Sequence, residues 1–291
     1  MDLVTVTCDR DYNYSLLQAE SIQKFLTPCT HWVIINERNV DIEKWYTALR
    51  PFYRNHTLNI LLLDRDFADV EKLPLDGWDR QQLIKLKVSK FLKNDYLILD
   101  TKCFFIKHTD LNEWEDTLGD GNLYALYDPN STFSKHWKDL SEIYAKRLKC
   151  EPLPSTLFFV PFKIKIRPLH EFAHMHNLEK YLLIPREKRI KWDKEEKRAP
   201  SEFIFYTYLV KDILKDMKPM PKNYQYFTRR NGFGMDRTQF FEYIIKQLHN
   251  IENNSEMKIT AFHPHLVDDL DNVELSFINH WLSKIGINFK F

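Results

Sequence analysis

Over the first hundred residues, short apolar runs alternate with stretches whose apolar positions fall at helical spacing. No other feature narrows what this chain can fold into as much. Residues 4–8, 31–36, 57–63 and 96–99 each read as a strand. Between them, 14–25 carries Leu16, Leu17, Ala19, Ile22 and Phe25 on one helical face, and 41–49 does the same with Ile42, Trp45, Tyr46 and Leu49. Residues 78–92 align Leu83, Ile84, Leu86, Val88, Phe91 and Leu92. Strands separated by helices pair in parallel through crossover connections. The order therefore predicts an α/β fold: a mostly parallel central sheet with helices on both faces, in a single Rossmann-like domain. Ligands of such sheets bind beyond the carboxyl ends of the strands, so polar residues directly after a strand are the ones to weigh.

The second half is more mixed. Residues 123–127, 156–160 and 258–262 read as strands, and 134–148, 235–249 and 276–285 as helices. Ser201 is placed to cap a helix running to Met217. The charged stretch 185–200 reads as an exposed loop or a lid. Hydrophobic residues make up 44% of the chain, ample for a core, while glycines number only six. Neither G-x-G-x-x-G nor a P-loop occurs, which removes dinucleotide enzymes and P-loop kinases. Cys8, Cys29, Cys103 and Cys150 show no C-x-x-C spacing, so reduced thiols are expected rather than a disulfide framework or zinc site. Residues 1–8 look like a strand and not a charged leader, and no apolar window reaches membrane-spanning length. The expectation is a cytoplasmic protein.

Charge is unevenly spread. The whole chain carries 42 Lys and Arg against 41 Asp and Glu, yet residues 161–230 hold 17 basic against 9 acidic side chains. That local excess suits a polyanionic partner, and Phe162, Trp192, Tyr224, Tyr226 and Phe227 are interleaved with it. An ordinary solvated face reads the same way, because acids and bases alternate at 186–189 and 194–197.

Several polar residues fall where chemistry is expected. Asp9, Arg10 and Asp11 directly follow the first strand and suit a base, ribose or diphosphate, or simply a polar turn. Gln81, Gln82 and Lys85 lie near the start of the helix that opens at Gly77-Trp78, where anionic groups are favoured. Adjacent glutamines point to different sides, so at least one is free to be structural. The sharpest feature is Leu97-Ile98-Leu99-Asp100-Thr101-Lys102, an acid leaving a buried strand. Glu202 follows Ser201 and reads either as a general base or as a dipole-favoured first-turn acid. His263 and His265 flank Pro264 and are capable metal ligands.

Taken in order, Gly77-Trp78, Gln81-Gln82, Lys85, then Tyr96-Leu97-Ile98-Leu99-Asp100-Thr101-Lys102, then Pro200-Ser201-Glu202-Phe203 and Tyr206, resemble a little-characterised family of GT-A-like glycosyltransferases of bacteria and phages. Leu3-Val4-Thr5-Val6 with Asp11, and the Leu17-to-Ile22 helix, fit the same pattern. The similarity covers most of residues 1–215, and the last 75 match loosely. It implies a GT-A-like fold whose residues 1–130 bind a nucleotide-sugar donor and whose residues 131–291 form the acceptor-binding and C-terminal half. Carried over, Asp11 touches the nucleoside with Asp9 beside it, and Gln81, Gln82 and Lys85 line the donor pocket. Asp100 and Lys102 face ribose and diphosphate, and Glu202 is the general base. Better-known relatives hold Mn2+ or Mg2+ on a D-x-D, with a C-terminal histidine nearby. Asp100 and His263 would be those ligands here. Lys102 replaces the second acid and can neutralise a diphosphate directly.

The implied activity is transfer of a sugar from a nucleotide sugar to an acceptor hydroxyl. Two acceptors are open. One is a hydroxymethylated base in phage DNA, held by the basic 161–230 region, in which case the enzyme works in the host cytoplasm. The other is a glycan. A degenerate GT-A fold serving as a binding module is a further alternative. A two-metal nuclease using Asp9, Asp11 and Asp100 has no supporting pattern beyond those three.

Overall fold

The computed structural model describes residues 1–111, 123–126, 132–153, 155–157, 161–184, 200–212, 218–219, 224–227 and 235–291. The strands are β1 (Asp2–Thr7), β2 (Thr30–Ile35), β3 (Thr57–Leu62), β4 (Tyr96–Asp100), β5 (Cys103–Phe105), β6 (Leu123–Leu126), β7 (Ser155–Leu157), β8 (Phe162–Ile164), β9 (Lys218–Pro219), β10 (Tyr224–Phe227) and β11 (Ile259–Phe262). The helices are α1 (Tyr12–Phe25), α2 (Ile42–Leu49), α3 (Leu63–Asp66), α4 (Ala68–Glu71), α5 (Gly77–Lys87), α6 (Thr132–Leu148), α7 (Ile166–Met175), α8 (Leu178–Leu182), α9 (Glu202–Val210), α10 (Arg237–Asn253), α11 (Pro264–Asp269) and α12 (Asn272–Lys284).

The central sheet has the order β3-β2-β1-β4-β8. Its first four strands are parallel and β8 pairs antiparallel to β4. All six residues of β1 and the first four of β4 are buried, so both faces of the middle of the sheet are covered. Near-continuous burial of this kind is what crossover helices impose on parallel strands. The register sets Val6 of β1 beside Asp100 of β4, which brings the residues after both strands to one edge.

A second sheet, β10-β11-β5, joins the C-terminal region to the first half. Its strand β5 begins three residues after Asp100, so the chain passes from one sheet to the other through the turn Asp100–Cys103. One core gathers around the central sheet, with Leu3, Trp45, Leu97 and Phe205 among its members. A second gathers Phe104, Phe227, Phe262 and Trp281 with Leu17 of α1. The inner face of α1 is partly polar: Ser15, Gln18 and Ser21 are all buried, with Ser15 Oγ 3.0 Å from Thr7 Oγ1.

The strand–helix order of the first hundred residues is as the periodicity indicates, except that Leu63, expected to end the third strand, opens the one-turn helix α3, and α4 follows it where no helix is expected. Differences are local. The helix expected over 78–92 runs Gly77–Lys87 and tightens into a 3-10 turn at Val88–Phe91. That over 276–285 begins earlier, at Asn272, where Asp271 and Glu274 form a capping box. The helix expected to reach Met217 ends at Val210. Helices α7 and α8 and the short strand β8 had no expectation. Residues 185–199, where a lid or loop is expected, lie outside the described residues.

Candidate functional site

Asp100 is the last residue of β4, and three other elements converge on it. Helix α5 is capped by Asp76, whose side chain accepts from Asp79 N at 2.8 Å. Its C-terminal part is pinned over β4 by Tyr96 Oη, which donates to Lys85 O at 2.9 Å. This directs Lys85 inward, to lie 3.2 Å from Asp100 Oδ1 and 2.7 Å from Glu202 Oε1. Lys102 reaches the other carboxylate oxygen, Asp100 Oδ2, at 3.1 Å. The result is a row of alternating charges: Glu202, Lys85, Asp100, Lys102.

Exposure grades along that row. The Glu202 side chain is 0% exposed and that of Lys85 4%, while Asp100 and Lys102 are both 23% exposed. Burial disfavours an ionised Asp100, but Lys85 and then Lys102 outweigh it and hold the carboxyl well below the usual carboxylate range. Burial also opposes the charge on Lys85, yet Asp100 and Glu202 together raise its pKa, so it stays protonated. Glu202 behaves differently. Burial raises its pKa, and attraction to Lys85 offsets this only in part. The two directions agree physically, because Lys85 has two carboxylates to stabilise it and Glu202 has a single, shared cation. Ser201 caps α9, its Oγ accepting from Ile204 N at 3.3 Å, so Glu202 stands in the first turn, where the helix dipole favours a negative charge. Its Oε2 is buried and has no hydrogen-bond partner among the described residues.

Gln81 and Gln82 do face different sides. Gln81 Nε2 donates to Val6 O at 3.2 Å and ties α5 to the end of β1. Gln82 is buried, and neither of its amide atoms has a hydrogen-bond partner among the described residues, a costly state in a protein interior. Trp78 Nε1 lies 3.4 Å from Pro200 O and holds the start of α5 near that of α9.

The residues after β1 are spread over the same edge. Asp9 Oδ1 accepts from Trp45 Nε1 at 3.1 Å, and Asp9 N donates to Glu37 Oε2 at 3.0 Å. Asp11 lies 3.7 Å from Arg10 and accepts from Cys8 Sγ at 3.6 Å. It makes no direct contact with Asp100. Tyr14 on α1 has its phenol kept protonated first by burial, then by the carboxylates of Asp268 and Asp11, with Lys102 opposing. His263 is the N-cap of α11, its Nδ1 accepting from His265 N at 3.2 Å.

A divalent cation does not fit these groups. Each oxygen of Asp100 is already occupied by an ammonium group. Among the described residues no cluster of three or more His, Cys, Asp and Glu is arranged to hold a metal ion. The pairing of Asp100 with His263 as metal ligands therefore finds no support in the donor set. What the residues can do is present positive charge to an anionic group at the exposed end of the row, beside Lys102.

A family profile matches residues 7–161, from the end of β1 past Asp100 and Lys102. The chain belongs to DUF6492, a family of unknown function. The DUF6492 match stops short of Glu202 and His263, so it covers the β1–β4 edge and not the whole row. No curated protein matches the chain. Solved structures are similar to it in fold. One is the bifunctional glycosyltransferase WbbM in its apo form: TM-score 0.53, 12% identity, covering 98% of this chain and 49% of that one. The chain thus spans about half the length of that relative. Another is the galactosyltransferase LgtC in complex with donor and acceptor sugar analogs: TM-score 0.53, 12% identity, covering 98% and 95%. Mouse xyloside xylosyltransferase 1 follows, with a TM-score of 0.50, 11% identity and coverage of 89% and 96%. The fold is of the GT-A type. The similarity takes in the last 75 residues too, which the sequence pattern matched loosely. No helix among the described residues is long and apolar enough to cross a membrane.

Proposed function

We propose that this chain is a nucleotide-sugar-dependent glycosyltransferase that neutralises the donor diphosphate with lysines in place of a metal ion. The observation that carries the reading is the Asp100 carboxylate at the open edge of a GT-A sheet, with Lys85 and Lys102 on its two oxygens. During transfer the acceptor hydroxyl attacks the anomeric carbon and the bond to the diphosphate breaks. The bonding pair leaves with the diphosphate, where negative charge develops. Lys102, the more exposed ammonium, is the group to meet that charge. Charge fixed in place before the reaction stabilises a transition state strongly, because nothing has to reorient as the bond breaks. Lys85 is the fixed cation behind it, Gln82 lines the donor pocket, and Asp9 and Asp11 take the nucleoside side. Glu202 is assigned as the general base through Oε2, the oxygen that Lys85 leaves unengaged; because that side chain is fully buried, the assignment requires the buried end of the row to open when the acceptor binds.

We read the acceptor as a saccharide hydroxyl. The solved structure of LgtC holds donor and acceptor sugar analogs, and a saccharide needs no polyanion-binding face. The DNA-base alternative rests on the basic 161–230 region, which lends it less than its composition suggests. Phe162 and Phe227 are buried in the two cores, and Lys163 is buried 3.8 Å from Asp95. Trp192 lies outside the described residues.

A thermal-shift screen of nucleotide sugars with and without Mn2+ tests the proposal. A bound donor raises the melting temperature by mass action. The expected pattern is stabilisation by one nucleobase class without a requirement for Mn2+, together with slow donor hydrolysis. Stabilisation without any hydrolysis would indicate a binding module, and no response to any donor would remove the transferase reading. Binding of duplex DNA at low salt, with steep salt dependence, would restore the DNA acceptor.

A further inference from the structure

The amide of Gln18 spans the turn that carries Asp100 and Lys102. Its Nε2 donates to Asp100 O at 3.0 Å and to Cys103 O at 2.8 Å, the first and last residues of that turn. Carbonyl oxygens only accept, so the amide has one permitted orientation and Oε1 faces Thr5 Oγ1 at 2.8 Å. Thr5 has a single hydroxyl proton and spends it there. The 3.0 Å contact between Thr5 Oγ1 and His31 Nε2 must then be donated by the imidazole. This makes His31 the Nε2–H tautomer and leaves Nδ1 to accept from Tyr53 Oη at 2.6 Å. Burial, helped by His56, pushes the His31 pKa down to about 3, so the ring is neutral and the order of donors holds. Tyr53, His31, Thr5 and Gln18 are all buried, so water does not compete with the chain.

We infer that Gln18 is a positioning residue for the Asp100–Lys102 turn, oriented from β2 across the sheet by the one-way chain Tyr53, His31, Thr5. Ser21 supports it, since Ser21 Oγ donates to Gln18 O at 2.7 Å and accepts from Phe105 N at 3.1 Å, just past the turn. The inference rests on the transferase reading for what the turn holds. Each hydrogen bond in the chain has a fixed sense, so losing one proton in the middle releases the turn without removing any group that touches the donor.

Thr5→Val keeps the side-chain shape and suits a strand, but has no proton to give. Thr5→Ser restores the proton. Both are made in the full chain, and two quantities are measured on each: amide hydrogen exchange at Thr101–Cys103, and dissociation constants for UDP and GDP. In Thr5→Val, exchange in the turn should quicken about 10-fold relative to β3, and the preferred nucleotide should bind about 5–10-fold more weakly. Thr5→Ser should return both to within about twofold of the parent, as a positioning role requires. A Thr5→Val protein that melts earlier, yet exchanges and binds nucleotide as the parent does, overturns the inference. If the parent binds neither nucleotide, the nucleotide comparison is repeated with ADP, dTDP and CMP; binding of none of the five removes the transferase reading, and the exchange comparison alone then decides the role of Gln18. Should Thr5→Val not fold, Tyr53→Phe removes only the outermost donor and is read in the same way.

Discussion

Lys85 and Lys102 touch the same carboxylate at nearly equal distances, 3.2 and 3.1 Å, but their removal should have very different costs. Lys85→Met leaves Glu202 fully buried without its cation, and takes one of two cations from Asp100. Removing one partner of a buried ion pair costs about 3–5 kcal/mol, because the remaining charge is stranded. Lys102→Met breaks a pair whose members are both 23% exposed. Such a loss costs about 0–1 kcal/mol. For a chain of this length, about 2 °C of melting temperature per kcal/mol gives a fall of roughly 6–10 °C for Lys85→Met and no more than about 2 °C for Lys102→Met. The difference should also depend on pH. Without Lys85, the already raised Glu202 pKa climbs further above its unfolded value of about 4.3. The folded state then binds the proton more tightly than the unfolded state, so stability falls as pH rises through that interval. The Lys85→Met deficit should therefore shrink on acidification towards about pH 4. Thermal melts of the three proteins between pH 4 and 8 measure both effects. Equal losses for the two variants, or a Lys85→Met deficit that does not change with pH, would refute the burial argument.

Asp100 titrates in the opposite sense: its folded pKa is depressed, so its contribution is present above about pH 4 and lost as pH falls below that. Asp100→Asn should flatten the acid limb of the stability profile, and an unchanged limb in an acid-unfolding series would count against the pairing. Glu202→Gln should lower turnover by about 10²–10⁴-fold with donor KM little changed, whereas a raised KM at preserved kcat would mean that Glu202 only holds Lys85. Lys107 Nζ lies 2.9, 3.3 and 2.6 Å from the carbonyls of Ile251, Glu252 and Asn254 at the end of α10. Lys107→Met should cost about 1–3 kcal/mol in urea unfolding, because these carbonyls lose a charged donor.

How much of the molecule is legible in its sequence follows from how far apart the interacting residues lie along the chain. The strand–helix order to Asp100 is carried by periodicity within windows of about a dozen residues, and the structure keeps that order. Strands β5 and β8 are three residues each and show no period; Phe162-Lys163-Ile164 even carries a buried lysine in its middle. The bond from Lys85 to Glu202 joins residues 117 apart, and nothing local announces it. By itself the glutamate is legible only as a first-turn acid, and the lysine, expected near the helix start, stands in the last turn of α5, where a cation suits the helix dipole. Gln18 is invisible to apolar periodicity, which marks Leu17, Ala19 and Ile22 on α1. Ser15, Gln18 and Ser21 recur every third residue, the spacing of one helical face, and a buried polar stripe of that kind is the signal that points to it. Adjacency alone makes Gln81 and Gln82 differ, but which of them anchors to β1 depends on the helix's rotation about its axis, which tertiary packing sets.

The two residues between β4 and β5 have a consequence for how the family can vary. Residues on both sides of this link are locked into register with neighbours, Asp100 opposite Val6 and Cys103 opposite Ala261. A residue added or deleted there has to be taken up within a two-residue turn; where it is not, one strand slips by one residue and its side chains change face. Cys103, Phe104 and Phe105 are all fully buried, so neither facing is tolerant. Homologues should accept length changes freely in their outer loops and almost never at this link. Its fixed length works as a ruler that sets the spacing between the Asp100 carboxylate and the C-terminal sheet.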